Sequence, residues 1–153
     1  MEVNTRRQKG FTLIELLVVA GIIAIGATMS WISVSNAKKK MQVDNTCQSV
    51  AAMVNKARSY ALSGVNGANK VRLHCTTNSC SVQRNSIAAP TTWTLVDNTY
   101  DFPGTQFTGA FDMEYDIPYA TGVSGSVDHV IQLIGDTSVT KTLTTTNFKA
   151  TCQ

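Results

Sequence analysis

The feature that most constrains this chain of 153 residues is an uncharged run at residues 16–34. Its nineteen residues fall within the roughly 17–25 that a helix needs to cross a bilayer, so the run predicts a membrane-spanning helix. Arg6, Arg7 and Lys9 precede the run, and the positive-inside rule then places the amino-terminal end in the cytoplasm. Trp31 fits an interfacial aromatic residue at the far side. The bulk of the chain is therefore expected to be exported.

An acidic residue, Glu15, lies immediately before this run, inside an apolar segment that begins at Phe11. A charge at the centre of a membrane helix costs on the order of 2.5–3.5 kcal/mol, and such residues usually face a group that neutralises them. We therefore expect Glu15 to have a partner. An ordinary secretory signal places its small-residue cleavage site after the apolar region, whereas Gly10 precedes it here. Cleavage at Gly10 would leave the apolar segment attached.

The sequence from Lys9 through Gly10, Phe11 and Glu15 to Val19 resembles the class III signal of type IV prepilins and pseudopilins. The resemblance implies that a prepilin peptidase cuts after Gly10 and that the new amino-terminal Phe11 is N-methylated. It also implies that the α-amino group of Phe11 neutralises Glu15 of a neighbouring pilin or pseudopilin subunit. The resemblance further implies that the subunit lies in the bacterial inner membrane, where it crosses the lipid bilayer once and contacts the assembly platform. Its carboxy-terminal domain would lie in the periplasm or outside the cell. A pilus or pseudopilus would be the final location.

A second helical pattern follows the uncharged run. Its apolar residues recur at spacings of three and four, as on an amphipathic helix with one buried face. These residues are Val43, Cys47, Val50, Val54, Ala57 and Ala61. No proline occurs before Pro90, and the first strong breakers are Ser63-Gly64 and Asn66-Gly67. We expect one helix from residue 11 to about residue 62, near 80 Å long at roughly 1.5 Å per residue.

After Gly67 the period of the apolar residues changes to two, which predicts strands. Residues 71–75 and 80–82 flank a four-residue loop as a hairpin, with both cysteines on one side. Apolar and acidic side chains separate onto two faces from residue 107 to residue 117, which predicts a further strand. Other short strands are expected around residues 93–96, 127–134, 139–143 and 148–152. We expect these strands to form an antiparallel sheet that packs on the helical stripe.

These patterns predict an α+β fold, in which one long amino-terminal helix packs on an antiparallel β-sheet domain and the first half of the helix spans the membrane. The resemblance to prepilins implies that this fold is pilin-like. The expected segments are a prepilin leader at 1–10, a transmembrane and assembly half of the helix at 11–34, an amphipathic half at 35–63, and a globular β domain at 64–153. The order of long helix, turn and cysteine hairpin resembles the GspH/FimT-like minor pseudopilins and fimbrial proteins, which implies a minor subunit.

Four cysteines in an exported chain favour disulfides, and three pairings are possible. Cys75 and Cys80 lie opposite each other in the predicted hairpin, which leaves Cys47 on the helical stripe and Cys152 at the chain end for each other. We favour this pairing, and the other two stay open. The C-x4-C spacing beside His74 also falls within the limits of a zinc site, but strand alternation points His74 away from the thiols.

Asp112, Glu114 and Asp116 place oxygen donors at alternate positions, as at the start of a calcium loop. The pattern then fails, because Ile117 stands where the loop glycine is needed and Val123 where the final glutamate is needed. A solvent-facing strand edge is the favoured interpretation. We therefore predict neither a metal nor a cofactor for this chain.

Charge is unevenly distributed along the chain. Between residues 38 and 84 there are eight basic residues against Asp44, whereas residues 97–136 hold seven acids and no lysine or arginine. This polarity can orient subunits that stack head to tail, or it can be a solvated surface. Lys38, Lys39 and Lys40 can contact lipid phosphates or DNA, although a solvated collar is favoured.

The sequence contains no arrangement that suggests a nucleophile or a phosphate loop, so we predict that the protein is not an enzyme. The favoured function is a structural subunit of a type IV pilus or a type II secretion pseudopilus. The alternative is a DNA-uptake pilin. Related fimbrial proteins that bind DNA use a basic carboxy-terminal region, and here that region holds Lys141 and Lys149 alone. A solitary membrane-tethered receptor is a third hypothesis, which would leave Glu15 without a partner.

Overall fold

A computed structural model of the protein describes residues 11–65, 67–121, 127–146 and 149–153; the side chains of residues 28–33, 146 and 149 are outside that description. The described residues fall into two compact units, one ending at Lys38 and the other beginning at Lys39. The first unit holds the amino-terminal part of a long helix. The second holds the rest of that helix together with the strands described below.

Helix α1 runs from Leu13 to Ser63, so the prediction of one long helix is confirmed. Thr12 caps its amino-terminal end, because the Glu15 backbone N–H donates to Thr12 Oγ1 at 3.3 Å. Gly64 follows the last helical residue with a φ of 67°, the left-handed conformation that commonly ends a helix and that glycine adopts without steric cost. The two ends of α1 are therefore set by local sequence.

One face of α1 is fully buried in the second unit. Its residues are the predicted stripe, and each has an exposed fraction of 0%: Val43, Cys47, Val50, Val54, Ala57 and Ala61. Burying a valine side chain stabilises a fold by about 1.5–3 kcal/mol relative to leaving it exposed. The stripe therefore supplies a large part of the attachment of α1 to the strands.

The strands form two antiparallel sheets. The predicted α+β fold, a long helix packed on antiparallel β structure, is confirmed, but the expectation that the strands complete one sheet is wrong. The strand bounds are β1 Ala68–Cys75, β2 Ser79–Ser86, β3 Trp93–Leu95, β4 Tyr100–Asp101, β5 Thr105–Phe107, β6 Phe111–Asp116, β7 Val127–Leu133, β8 Asp136–Thr146 and β9 Lys149–Cys152. The first sheet has the order β3-β2-β1-β6, with β4 also paired to β2. The second has the order β5-β7-β8-β9.

The single strand expected at residues 107–117 is divided between the two sheets. Phe107 ends β5 in the second sheet, and Phe111 begins β6 in the first. The chain turns away at Thr108, whose backbone N–H donates to the Val130 carbonyl at 3.0 Å, and then passes through Gly109, which weakens strand structure. The expected alternation holds within β6, where two apolar residues, Met113 and Tyr115, are buried.

The core of the second unit combines residues from the helix and from both sheets. Leu73 of β1, Ile131 of β7 and Leu143 of β8 are among its largest fully buried side chains. Phe107 joins the strands of the two sheets, because its ring makes an edge-to-face contact with the ring of Phe111 at a centroid distance of 5.5 Å. Helix, first sheet and second sheet therefore share one hydrophobic core.

Candidate assembly site

The amino-terminal end of α1 presents Phe11, Thr12 and Glu15 to solvent. Phe11 is 82% exposed and precedes the capping residue Thr12. The capping role of Thr12 was not predicted, although residues 12–15 carry the Thr-x-x-Glu pattern of a capping box. Glu15 lies in the first turn, where the partial positive charge of the helix terminus favours a carboxylate. The local sequence thus fixes where Glu15 lies on the helix.

Every side chain that the structure describes in the first unit is exposed. Many of them are large and apolar: Phe11, Leu13, Ile14, Leu16, Leu17, Val18, Val19, Ile22, Ile23, Ile25 and Val34. Extended apolar surfaces of this kind mark contacts with other proteins or with membranes. The segment therefore carries a surface suited to an apolar partner.

Across the part of the chain that the structure describes, no helical stretch meets the length and hydropathy of a membrane span. The side chain of Trp31, which was predicted to lie at the far membrane interface, is outside the described residues. The leader is outside them as well, including Gly10 at the predicted cleavage position.

The structure joins the four cysteines in two disulfides. Cys75 and Cys80 face each other in the β1–β2 register and are bonded, with a Cα–Cα distance of 4.1 Å. Cys47 on the buried face of α1 is bonded to Cys152 in β9, with a Cα–Cα distance of 6.0 Å. Cys75 and Cys80, the two cysteines beside His74, are thus both in a disulfide, and His74 Nδ1 forms a hydrogen bond with an Asp112 carboxylate oxygen at 2.5 Å.

The acidic residues of β6 pair with the basic residues of β1. Lys70 lies 3.3 Å from Glu114 and 3.6 Å from Asp116, and Arg72 lies 3.3 Å from Asp112. These carboxylates therefore neutralise neighbouring cations across the sheet. Val123, which figured in the rejection of a calcium loop, lies outside the described residues.

Ion pairs also connect the helix to the strands and loops of the second unit. They join Lys39 to Asp136 at 2.9 Å, Lys56 to Asp97, and Lys141 to Asp44 at 3.3 Å. The hydrogen bond from Lys56 lowers the pKa of Asp97 below its ordinary value. With the pairs between β1 and β6, five of the seven acids in residues 97–136 pair with a basic side chain. This pairing favours a neutralised, solvated surface over two opposed charged faces.

The pairing of Lys141 also bears on the expectation of a DNA-binding carboxy-terminal region. Lys141 is one of the two basic residues there, and Asp44 neutralises it. The side chain of the other, Lys149, is outside the described residues. The described contacts therefore add nothing that favours DNA binding by this region.

Asp136 is the most strongly perturbed of these acids. Its carboxylate accepts hydrogen bonds from the Ser138 hydroxyl at 2.6 Å, from Lys39 at 2.9 Å and from the Ser138 backbone N–H at 3.2 Å. These bonds favour the ionised form and lower the pKa of Asp136 from 3.8 to about 2. Because the folded-state pKa lies below the unfolded one, this stabilisation is present above about pH 4 and is lost as the pH falls towards 2.

We predict that Ser138→Ala raises the pKa of Asp136 more than Lys39→Gln does. The hydroxyl bond is the largest single cause of the depression, whereas a glutamine at position 39 can still donate a hydrogen bond and loses only the smaller Coulombic attraction of the lysine. The measurement is an NMR titration of the Asp136 carboxyl carbon between pH 1.5 and 6 in the full chain. A larger rise with Lys39→Gln would show that the lysine controls the titration.

Comparison with known proteins gives one family match, at the amino-terminal end. Residues 5–31 match the family model for the prokaryotic N-terminal methylation motif. The match covers part of the leader and the beginning of α1, and it supports a type IV pilin-like protein with a class III prepilin leader. No curated protein and no solved structure matches the chain.

Proposed function

We propose that the protein is a structural subunit of a type IV pilus or a type II secretion pseudopilus, and a minor subunit of the GspH/FimT-like kind. The observation that carries the proposal is the methylation motif at residues 5–31. It overlaps the beginning of α1, whose described side chains are exposed and largely apolar as far as Ile25. A filament subunit needs both features, the first for processing and the second for contacts with its neighbours.

Gly10 and Phe11 are the proposed processing residues. The prepilin peptidase cuts between them, and Phe11 becomes the N-methylated terminus. Residue 11 precedes the regular part of α1, and its side chain is 82% exposed. Until assembly the subunit is held in the inner membrane by residues 11–34, with the globular unit on the periplasmic side.

Glu15 and Phe11 are the proposed assembly residues. Removal of residues 1–10 creates an amine four positions before Glu15, and neighbouring helices shifted by about one turn bring one subunit's amine to the next subunit's carboxylate. Attraction between opposite charges is far stronger in an apolar surrounding than in water. The pair therefore sets the register in which the exposed apolar surfaces meet.

The architecture of the second unit suits an exported subunit. Disulfides persist in oxidising compartments such as the periplasm. The Cys47–Cys152 bond fastens the last strand to α1, so the helix that makes the proposed filament contacts is covalently tied to the globular unit.

The test is incorporation into filaments. The full chain is expressed in cells that have or lack the prepilin peptidase, and sheared surface filaments are separated from membranes. We expect the chain in the sheared fraction only when the peptidase is present. Equal amounts in both strains, or retention in the membrane in both, would contradict the proposal.

A further inference from the structure

A groove of about 340 Å³ lies in the second unit, between α1 and residues 100–102. Ala52 and Met53 line it from the helix, and Phe102 adds a third apolar side chain from the facing segment. Asp101 lines it as well. The groove therefore offers an apolar lining beside a carboxylate, and the filament contacts proposed above do not use it.

The carboxylate of Asp101 has no counter-charge within the part of the chain that the structure describes. There, five of the seven acids in residues 97–136 pair with a basic side chain, and the other two are Asp101 and Asp128. Lys56, the base that lines the groove, is bonded to Asp97. A side chain with an apolar stem and a cationic end satisfies both the lining and the carboxylate. The groove therefore suits an arginine or a lysine of a partner protein.

Arg58 of a second copy of this chain has the charge that the groove lacks. Arg58 is exposed, and the described residues include no ion pair that involves it. Burial raises the pKa of the nearby Tyr115 and Arg58 opposes that rise, but a neutral phenol is not a counter-charge. Arg58 follows Lys56 by two residues, which places it about 200° around α1, on the side away from the groove. It is therefore free to meet the groove of another copy.

Position along α1 favours Arg58 over Lys40, another exposed base for which the described residues show no ion pair. Met53 lies at the middle of the groove-lining part of α1. Arg58 is five residues from it, or roughly 8 Å along the helix, whereas Lys40 is thirteen residues away, or roughly 20 Å. A small axial shift between parallel helices therefore brings Arg58 to the groove. Its guanidinium group also matches a carboxylate through two parallel hydrogen bonds.

We propose that the Arg58 side chain of one copy inserts into this groove of a second copy and pairs with its Asp101. The inference rests on the proposed filament, in which subunits lie side by side, and it adds that two copies of this chain are neighbours there. Arg58 and the groove are different patches of the same chain, so the contact is heterologous and one copy can use both at once. Such contacts extend into open filaments when they do not close into a ring.

The test is photo-cross-linking of the full chain in cells. Two versions with different affinity tags are expressed together, each with p-benzoylphenylalanine in place of Ser49, an exposed residue that lines the groove. We expect a cross-linked pair that carries both tags, and peptide mapping that joins position 49 to the segment around Arg58. No such pair, a pair mapped to another region, or cross-links to other proteins alone would overturn the proposal.

Charge exchange tests the pairing itself. Asp101→Arg and Arg58→Asp should each lower the yield of the cross-linked pair about tenfold, because each change brings like charges together. The double variant restores opposite charges in exchanged places and should return the yield to within about twofold of the wild type. Loss in both single variants without recovery in the double variant would contradict the pairing.

Asp128→Arg is the matched control. Asp128 is the other exposed acid of residues 97–136 that lacks an ion pair among the described residues, and it does not line the groove. We expect its yield to stay at the wild-type level. An equal loss for Asp101→Arg and Asp128→Arg would replace the groove with a general effect of surface charge and overturn the proposal.

Membranes and sheared filaments are irradiated separately, which distinguishes this proposal from the proposed function. A chain that enters filaments without forming the mapped pair would overturn the contact and leave the proposed function standing. The mapped pair in membranes of cells whose filaments lack the chain would contradict the proposed function and leave the contact standing.

Discussion

Replacement of Glu15 by glutamine or valine is expected to leave the globular unit folded and the subunit in the membrane, but to exclude it from filaments. Neither change touches the buried core, because Glu15 is exposed at the start of α1. Loss of an acid makes the apolar segment easier to insert into a membrane. In the filament, the same change leaves the neighbouring Phe11 amine buried without a counter-charge, which costs about 3–5 kcal/mol per contact.

The measurement compares sheared filaments with membrane fractions from cells that express each variant, with wild-type subunits present or absent. Glu15→Asp is the matched control, because it keeps the charge and shortens only the reach, and it should assemble better than Glu15→Gln. If Glu15→Val assembles at the wild-type rate in both backgrounds, Glu15 is not an assembly contact. The hypothesis of a solitary membrane-tethered receptor would then gain support.

Removal of the Cys47–Cys152 disulfide is expected to be the most damaging single change to the stability of the globular unit. Its cysteines are 105 residues apart, whereas Cys75 and Cys80 are 5 apart. In the chain-entropy model the long loop stabilises the fold by about 4–5 kcal/mol and the short one by about 2 kcal/mol. The long bond also holds β9 against the buried face of α1, where Cys47 is fully buried.

The double variant Cys47→Ala/Cys152→Ala is compared with Cys75→Ala/Cys80→Ala, so each removes one bond and leaves no free thiol. Urea unfolding of the full chain in nonionic detergent, followed by circular dichroism, gives the free energy of unfolding of each. Non-reducing peptide mapping of the wild type first verifies the bonds. A larger loss for the hairpin pair, or a mapped link between Cys47 and Cys75, would contradict this account.

The helix and the cysteine hairpin could be predicted because their signals are local. No proline or strong breaker interrupts the chain before Ser63, and α1 runs unbroken to that residue. The three- and four-residue spacing of the apolar stripe was enough to identify the buried face of α1, without knowing which strands pack on it. The hairpin followed from alternation on both sides of a short loop, and Cys75 does lie opposite Cys80.

The division of the strands into two sheets could not be predicted from such local signals. A two-residue period shows that a segment is extended, but it does not show which strand it pairs with. Phe107 and Phe111 therefore looked like one strand, although they belong to different sheets. Strand β8 was predicted too short, since many of its residues are threonines, which favour strands without adding an apolar signal.

Among the polar contacts, those between residues close in sequence could be predicted and those between distant residues could not. The Thr12 cap was readable, because its pattern with Glu15 is local. The pairing of Lys39 with Asp136 joins residues 97 positions apart, and that of Lys56 with Asp97 joins residues 41 apart. Nothing in the sequence around either lysine specifies such a partner.

If this chain is made as a prepilin, a prepilin peptidase should process it at Gly10. The measurement is intact-mass analysis of protein extracted from membranes of cells with an active prepilin peptidase. We expect a single species that lacks residues 1–10, begins at Phe11 and carries one additional methyl group. Retention of the full leader in those cells would show that the chain is not a prepilin.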